Sequence, residues 1–176
     1  YSFAALAPHI VVTWMGLSLT AYAVGLTGVI FCLLAGLYLA DLVSHRFGAA
    51  SMIFFACSTG TLVSVTSFLI LLSTNASLSM ISFFVPAGLV SLTIGLAMPY
   101  SLTAVVTTIP AFAGTAVGIS TGLQMFAAAL FTHLLSLAWL EPHLLISVMS
   151  AIALTLATFF SLLLLVNQSD VIKTSK

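Results

Sequence analysis

The chain is expected to be an all-α integral membrane protein, and three observations say so. Of its 176 residues, 62% are hydrophobic and only 3% are charged, whereas a soluble domain carries about 25% charge. The apolar residues fall in long runs, each long enough to approach the roughly 20 residues that one helical span of a bilayer needs. Short polar or Gly/Pro-bearing stretches separate these runs. Six spans are read at about 1–16, 20–42, 50–72, 79–107, 115–138 and 144–166, with residues 167–176 as a polar tail. No linker divides the chain into domains.

The first run is short for a span. It opens at Tyr1 in mid-run, without an initiator Met or the basic start of a signal peptide, so the chain is expected to be a piece of something longer, with its first helix truncated. Pro8 frees a backbone carbonyl, and His9 puts an ionisable ring beside it. An intramembrane His is a functional-site candidate, and an interfacial, hydrogen-bonded His is the other reading.

Hydroxyls in the turn at residues 16–20 suit the start of a helix, and the second span follows. Tyr22, Gly25, Gly28 and Gly36 dot it. It ends in a polar turn carrying Asp41, His45, Arg46 and Gly48. Asp41 near a helix C-terminus is disfavoured by the helix dipole and calls for a partner, which Arg46 or a neighbouring helix N-terminus could supply. A plain interfacial ion pair, worth roughly 0 to 1 kcal/mol, is the alternative.

The third span is uniformly apolar with scattered Ser and Thr, whose hydroxyls can bond back to their own helix, and it reads as scaffold. Asn75 lies in a sequon that reads here as a turn. Pro86 and Pro99 interrupt the fourth span, near Phe83, Phe84 and Tyr100. Helix interruptions at membrane depth are pointers to transport sites, and kinks that serve packing alone are the competing explanation.

Residues 95–125 hold the most distinctive pattern. The run reads as two helices joined at Pro110 to Gly114, and Gly114, Gly118 and Gly122 recur every fourth residue on one helix face. Such a strip permits close approach of a neighbouring backbone, either as fixed packing or as a surface that slides. Gln124 follows two residues later and is a candidate hydrogen-bonding group for a ligand, with an interhelical clamp as the other reading. His133 lies nine residues beyond it, about 900° of helical rotation, so the two point to opposite sides. Trp139 to His143 form an interfacial turn with an aromatic anchor.

Arg46 follows the second span and Lys173 and Lys176 follow the sixth. Four spans separate them, so all three emerge on one side, which the positive-inside rule makes cytoplasmic. The C-terminus is then cytoplasmic.

The pattern Gly95-x-x-x-Pro99, Pro110-x-x-Ala113-Gly114-Thr115-Ala116 and Gly122-x-Gln124 resembles the tenth and eleventh helices of major facilitator superfamily drug-efflux transporters of the bicyclomycin-resistance (Bcr/CflA) type. Tyr100 stands where that family usually has asparagine. Gly36, Asp41, Arg46 and Gly48 resemble, in order, a relaxed form of the superfamily's signature loop, with Leu42 in place of the basic residue after the aspartate. The resemblance implies the six-helix C-terminal half of a twelve-helix fold, in a bacterial inner membrane. It also implies proton-coupled efflux of small lipophilic drugs. On that analogy His9, Phe84 and Gln124 face substrate. Asp41, Arg46, Gly48, Pro99, Pro110 and the glycines at 114, 118 and 122 serve gating and helix packing. The expected partners are a small-molecule substrate, protons, the lipid bilayer and the missing N-terminal six-helix half, where proton-carrying acids are expected.

Other chemistry has no footing in the sequence. The formal net charge is zero, which leaves no electrostatic footprint for nucleic acid. No P-loop, nucleophile elbow, metalloprotease motif or paired-Cys motif is present, so no enzyme activity, cofactor or metal is expected. Two further readings remain: a noncatalytic membrane bundle serving assembly, and a small-metabolite symporter of the same superfamily. The absence of a fixed basic residue in an apolar, aromatic cavity favours neutral or cationic lipophiles over organic anions.

Overall fold

A computed structural model describes residues 2–43, 48–73, 79–108, 110–137 and 150–163. Tyr1, His45, Arg46, the Asn75 turn, the Trp139 to His143 turn and the tail with Lys173 and Lys176 lie outside the described residues. Every regular element among those described is helical. In order they are α1 (Ser2–His9), a π-helical turn (Ile10–Trp14), α2 (Leu19–Val43), α3 (Ala49–Ser73), α4 (Met80–Thr108), a 3-10 turn (Pro110–Phe112), α5 (Ala113–Leu137) and α6 (Ser150–Leu163).

Among the described residues, four helices, α2 to α5, are long and apolar enough to cross a membrane. Twenty-five residues, the length of α2, α3 and α5, rise about 37 Å at 1.5 Å each, enough for a hydrocarbon core of about 30 Å. Their apolar residues run round the whole circumference, as expected where lipid, protein or both can contact every face. The chain has the make-up of an integral membrane protein.

Serines set two of the starts. The Ser18 Oγ accepts the Ala21 N–H at 3.2 Å, so the helix opens at Leu19. At α4 the Ser79 Oγ accepts the Ser82 N–H at 3.1 Å while the Ser82 Oγ accepts the Ser79 N–H at 3.0 Å. This is a reciprocal capping box with serine at both ends. Before α2 the chain reverses through Gly16, whose φ of +63° is a left-handed value that costs glycine least.

Inside the spans, hydroxyls turn back on their own helices. Thr27 donates to the Ala23 carbonyl, Thr59 to Phe55, Thr66 to Leu62, Thr103 to Pro99 and Thr132 to Ala128, each at 2.8 Å. Each satisfies a polar group without help from a neighbour. Pro86 and Pro99 do not interrupt α4, which is one helix from Met80 to Thr108. Each proline forfeits one backbone bond, and in a long membrane helix the flanking bonds hold the two sides together. The joint expected between Pro110 and Gly114 is confined to the 3-10 turn, because Gly114 already lies in the first turn of α5.

The core sits where α1 meets the early turns of α2 and α4. Val11, Val29 and Phe84 are buried together, with Phe3, Met15, Tyr22, Met80 and Phe83 packed around them. Phe3 stacks on Phe83 with ring centres 5.4 Å apart, and Phe83 meets Phe84 edge-on at 5.2 Å. α2 lies along α4, α3 covers α4, and α5 rests against α1 and α4. A hydrogen bond of 2.8 Å between the Thr61 and Thr158 hydroxyls joins α3 to α6.

Candidate functional site

α2 and α4 run parallel, as their pairing shows: Gly25 faces Phe84, Cys32 faces Gly88, Gly36 faces Leu92 and Gly95, and Ala40 accepts a hydrogen bond from Tyr100. At Gly36 the two backbones touch. A β-carbon there would run into the Leu92 carbonyl oxygen and come within 3.1 Å of the Gly95 Cα; one on Gly95 would run into the Leu33 carbonyl oxygen and come within 3.1 Å of the Gly36 Cα. Each glycine thus turns the side where its β-carbon would stand toward a carbonyl of the other helix.

Above this contact the helices part around an apolar groove of about 300 Å³, lined by Gly25, Gly28, Cys32, Phe84, Gly88 and flanking aliphatic side chains. A β-carbon on Gly28 would meet nothing within 4 Å, so Gly28 keeps the groove open. Phe84, expected to face substrate, is 8% exposed. Its ring lies over Gly25 and 6.4 Å from the Tyr22 ring, where it floors the groove as part of the packed core.

His9 is exposed at the end of α1. Its Nδ1 lies 3.2 Å from the Thr13 hydroxyl, a bond within its own segment. The π turn follows at once, closed by the Met15 N–H on the Ile10 carbonyl at 3.1 Å. Such turns recur at functional sites. Val11, two residues on, packs in the Phe84 cluster, so the segment bearing His9 and the groove floor share one end of the bundle.

Gln124 stands apart from both. It is exposed on α5, and no residue from Pro110 to His133 is fully buried. A β-carbon added to Gly114, Gly118 or Gly122 would meet no atom within 4 Å. The glycine strip therefore has no partner among the described residues. Asp41 is exposed on the last turn of α2, and Gly48 precedes α3, where its carbonyl accepts the Met52 N–H at 3.1 Å. Pro99 lies one residue before Tyr100, whose hydroxyl donates to the Ala40 carbonyl at 2.8 Å. Among the described residues no three of His, Cys, Asp and Glu come together as metal ligands would.

Spacing along single helices did not single out the glycines that carry the α2–α4 contact. The signal was present: Gly25 and Gly36 are eleven residues apart and Gly88 and Gly95 seven, each within about 20° of a whole number of turns. Two such faces, one on each helix, can meet along their length. Comparison with family models, curated proteins and solved structures gives no match to this chain.

Proposed function

We propose that the chain forms the C-terminal six-helix half of a major facilitator transporter, exporting small lipophilic compounds in exchange for protons across a bacterial inner membrane. The observation that carries this reading is the contrast between two sets of glycines. Gly25, Gly36, Gly88 and Gly95 on α2 and α4 are spent on contact, whereas Gly114, Gly118 and Gly122 on α5 meet nothing among the described residues and lie on the helix that carries Gln124. An open small-residue face with a hydrogen-bonding side chain suits a second helical repeat that must approach and move. The motif resemblance in residues 95–124 points the same way. The six described helical segments, allowing for a partial first one, fit the count.

Substrate would be held by apolar and aromatic surface, with His9 and Gln124 supplying hydrogen bonds. A charge at bilayer centre costs at least about 2.5 to 3.5 kcal/mol, so proton-carrying acids belong in the N-terminal half, and Asp41 with Arg46 would act at the cytoplasmic gate. In membranes this chain should insert yet give no resistance to lipophilic cations. Together with an N-terminal half it should restore efflux that collapses when the proton gradient is dissipated. Gradient-driven efflux by the chain alone would defeat the half-transporter reading in favour of a self-sufficient oligomer.

Orientation gives a separate check. Single cysteines at His45 and His143, in a background lacking Cys32 and Cys57, should react with an impermeant thiol reagent from opposite sides of the membrane. Reaction from the same side would remove the six-span topology.

A further inference from the structure

We infer that α2 and α4 are one rigid lever, so that conformational change in the bundle takes place at the seams around this pair and not within it. The inference goes beyond the transport reading and does not depend on it. It rests on contacts at four levels, from Gly25 with Phe84, through Cys32 with Gly88 and Gly36 with Gly95, to the Tyr100 hydroxyl on the Ala40 carbonyl. These run over fifteen residue steps of α2, from Gly25 to Ala40, about 22 Å of helix.

The register admits no neighbour. Backbone contact at Gly36 requires glycine on both helices. Sliding α4 by one turn would set Gly36 against Ser91 or Pro99, and Gly95 against Cys32 or Ala40. Each of those pairings would put a side chain where the present register has none, so the backbones could not meet as closely, and the same slide would carry Tyr100 a full turn, about 5.4 Å, from its acceptor. Close-packed interfaces move between discrete arrangements and do not deform continuously, and here each adjacent arrangement forfeits both the backbone contact and the Tyr100 hydrogen bond. α5 shows the opposite: a β-carbon on any of its three glycines would meet nothing within 4 Å among the described residues, so no described neighbour fixes a register along its strip.

The same geometry supplies the test. A β-carbon built on Gly88 lies 3.8 Å from the Cys32 Cβ, the mean separation of disulfide-linked β-carbons. In a Cys57→Ser background, Gly88→Cys should therefore bridge to the native Cys32 in membranes. If the pair is rigid, oxidised and reduced protein should show the same amide hydrogen exchange in α3 and α5. Failure to bridge in folded protein, or exchange in those helices that shifts on bridging, overturns the inference.

Should Gly88→Cys not accumulate, spin labels at the exposed Tyr38 and Met98, with both native cysteines replaced by serine, decide the matter. One narrow distance, unmoved by a lipophilic cation or by a change of pH, supports the lever; a broad or two-peaked distribution overturns it. Neither readout uses transport. A chain that proved not to transport would sink the proposed function and leave this inference to be judged on its own.

Discussion

Gly36→Leu should prevent the folded chain from accumulating in membranes. The β-carbon alone would strike the Leu92 carbonyl oxygen. That atom belongs to the α4 backbone and cannot swing aside as a side chain can. Overpacking a close-packed site costs about 1 to 3 kcal/mol, occasionally more, and total stability is only about 5 to 15 kcal/mol. Here a whole leucine side chain, not one methylene, meets a backbone carbonyl, the strain falls on two helices at once, and it pulls Tyr100 from Ala40, so a cost beyond that range is expected. Gly36→Ala should already lower the thermal midpoint in detergent, and Gly95→Ala should match it, since the contact is reciprocal. Gly28→Ala is the control: its β-carbon meets nothing within 4 Å, and it should accumulate as the parent does. Equal tolerance of alanine at Gly28 and Gly36 would show that the backbones do not touch.

On the proposed function, Gly118→Leu should do the reverse, leaving accumulation intact and abolishing efflux when the chain is paired with an N-terminal half. Nothing among the described residues opposes a β-carbon at Gly118, so the described bundle can accommodate leucine. A partner approaching the strip would feel it. Ala116→Leu, on the same helix but two residues from that face, should be milder. The pair separates the two possible surroundings of α5, because a face that meets only lipid would tolerate both changes and transport would continue. The measurements are protein level by immunoblot and efflux of a fluorescent lipophilic cation in the same cells.

The helices were legible because each depends on its own sequence. Continuous apolar runs force the backbone to satisfy itself, which only a helix or a closed barrel can do in lipid, and Ser18 and Ser79 mark their starts to within two residues. The hydroxyl-rich α3 was likewise readable as a helix that pairs its threonines internally.

What the sequence concealed lies between helices. Both α2 and α4 are apolar on every side, so no polar stripe tells which face turns inward. The Gly25 and Gly36 face gains its meaning only when set beside Gly88 and Gly95. Phe84 is expected to face substrate only through the family resemblance; its ring lies over Gly25, in the packed core and at the floor of the groove at once. The prolines suggested breaks, but one missing bond in a helix of 29 residues is borne by its neighbours. For Gln124 and the α5 glycines, spacing reveals the pattern and leaves the surroundings unstated. Arg46 lies outside the described residues, so its pairing with Asp41 rests on spacing alone.

The back-bonded threonines bear on biogenesis. Thr27, Thr59, Thr66, Thr103 and Thr132 each have an acceptor one turn earlier in the same helix. A nascent span can therefore leave the translocon for lipid with those hydroxyls already satisfied, before the helix it will adjoin has been synthesised. Thr61 and Thr158 differ only at the last step. Each hydroxyl can donate to its own helix, at Cys57 and Leu154, yet a hydroxyl has one proton, so the bond between them requires one of the two to release its local carbonyl. Lateral association of α6 with α3 thus involves an exchange of hydrogen-bond acceptors inside the bilayer and exposes no unsatisfied hydroxyl at either end of the process.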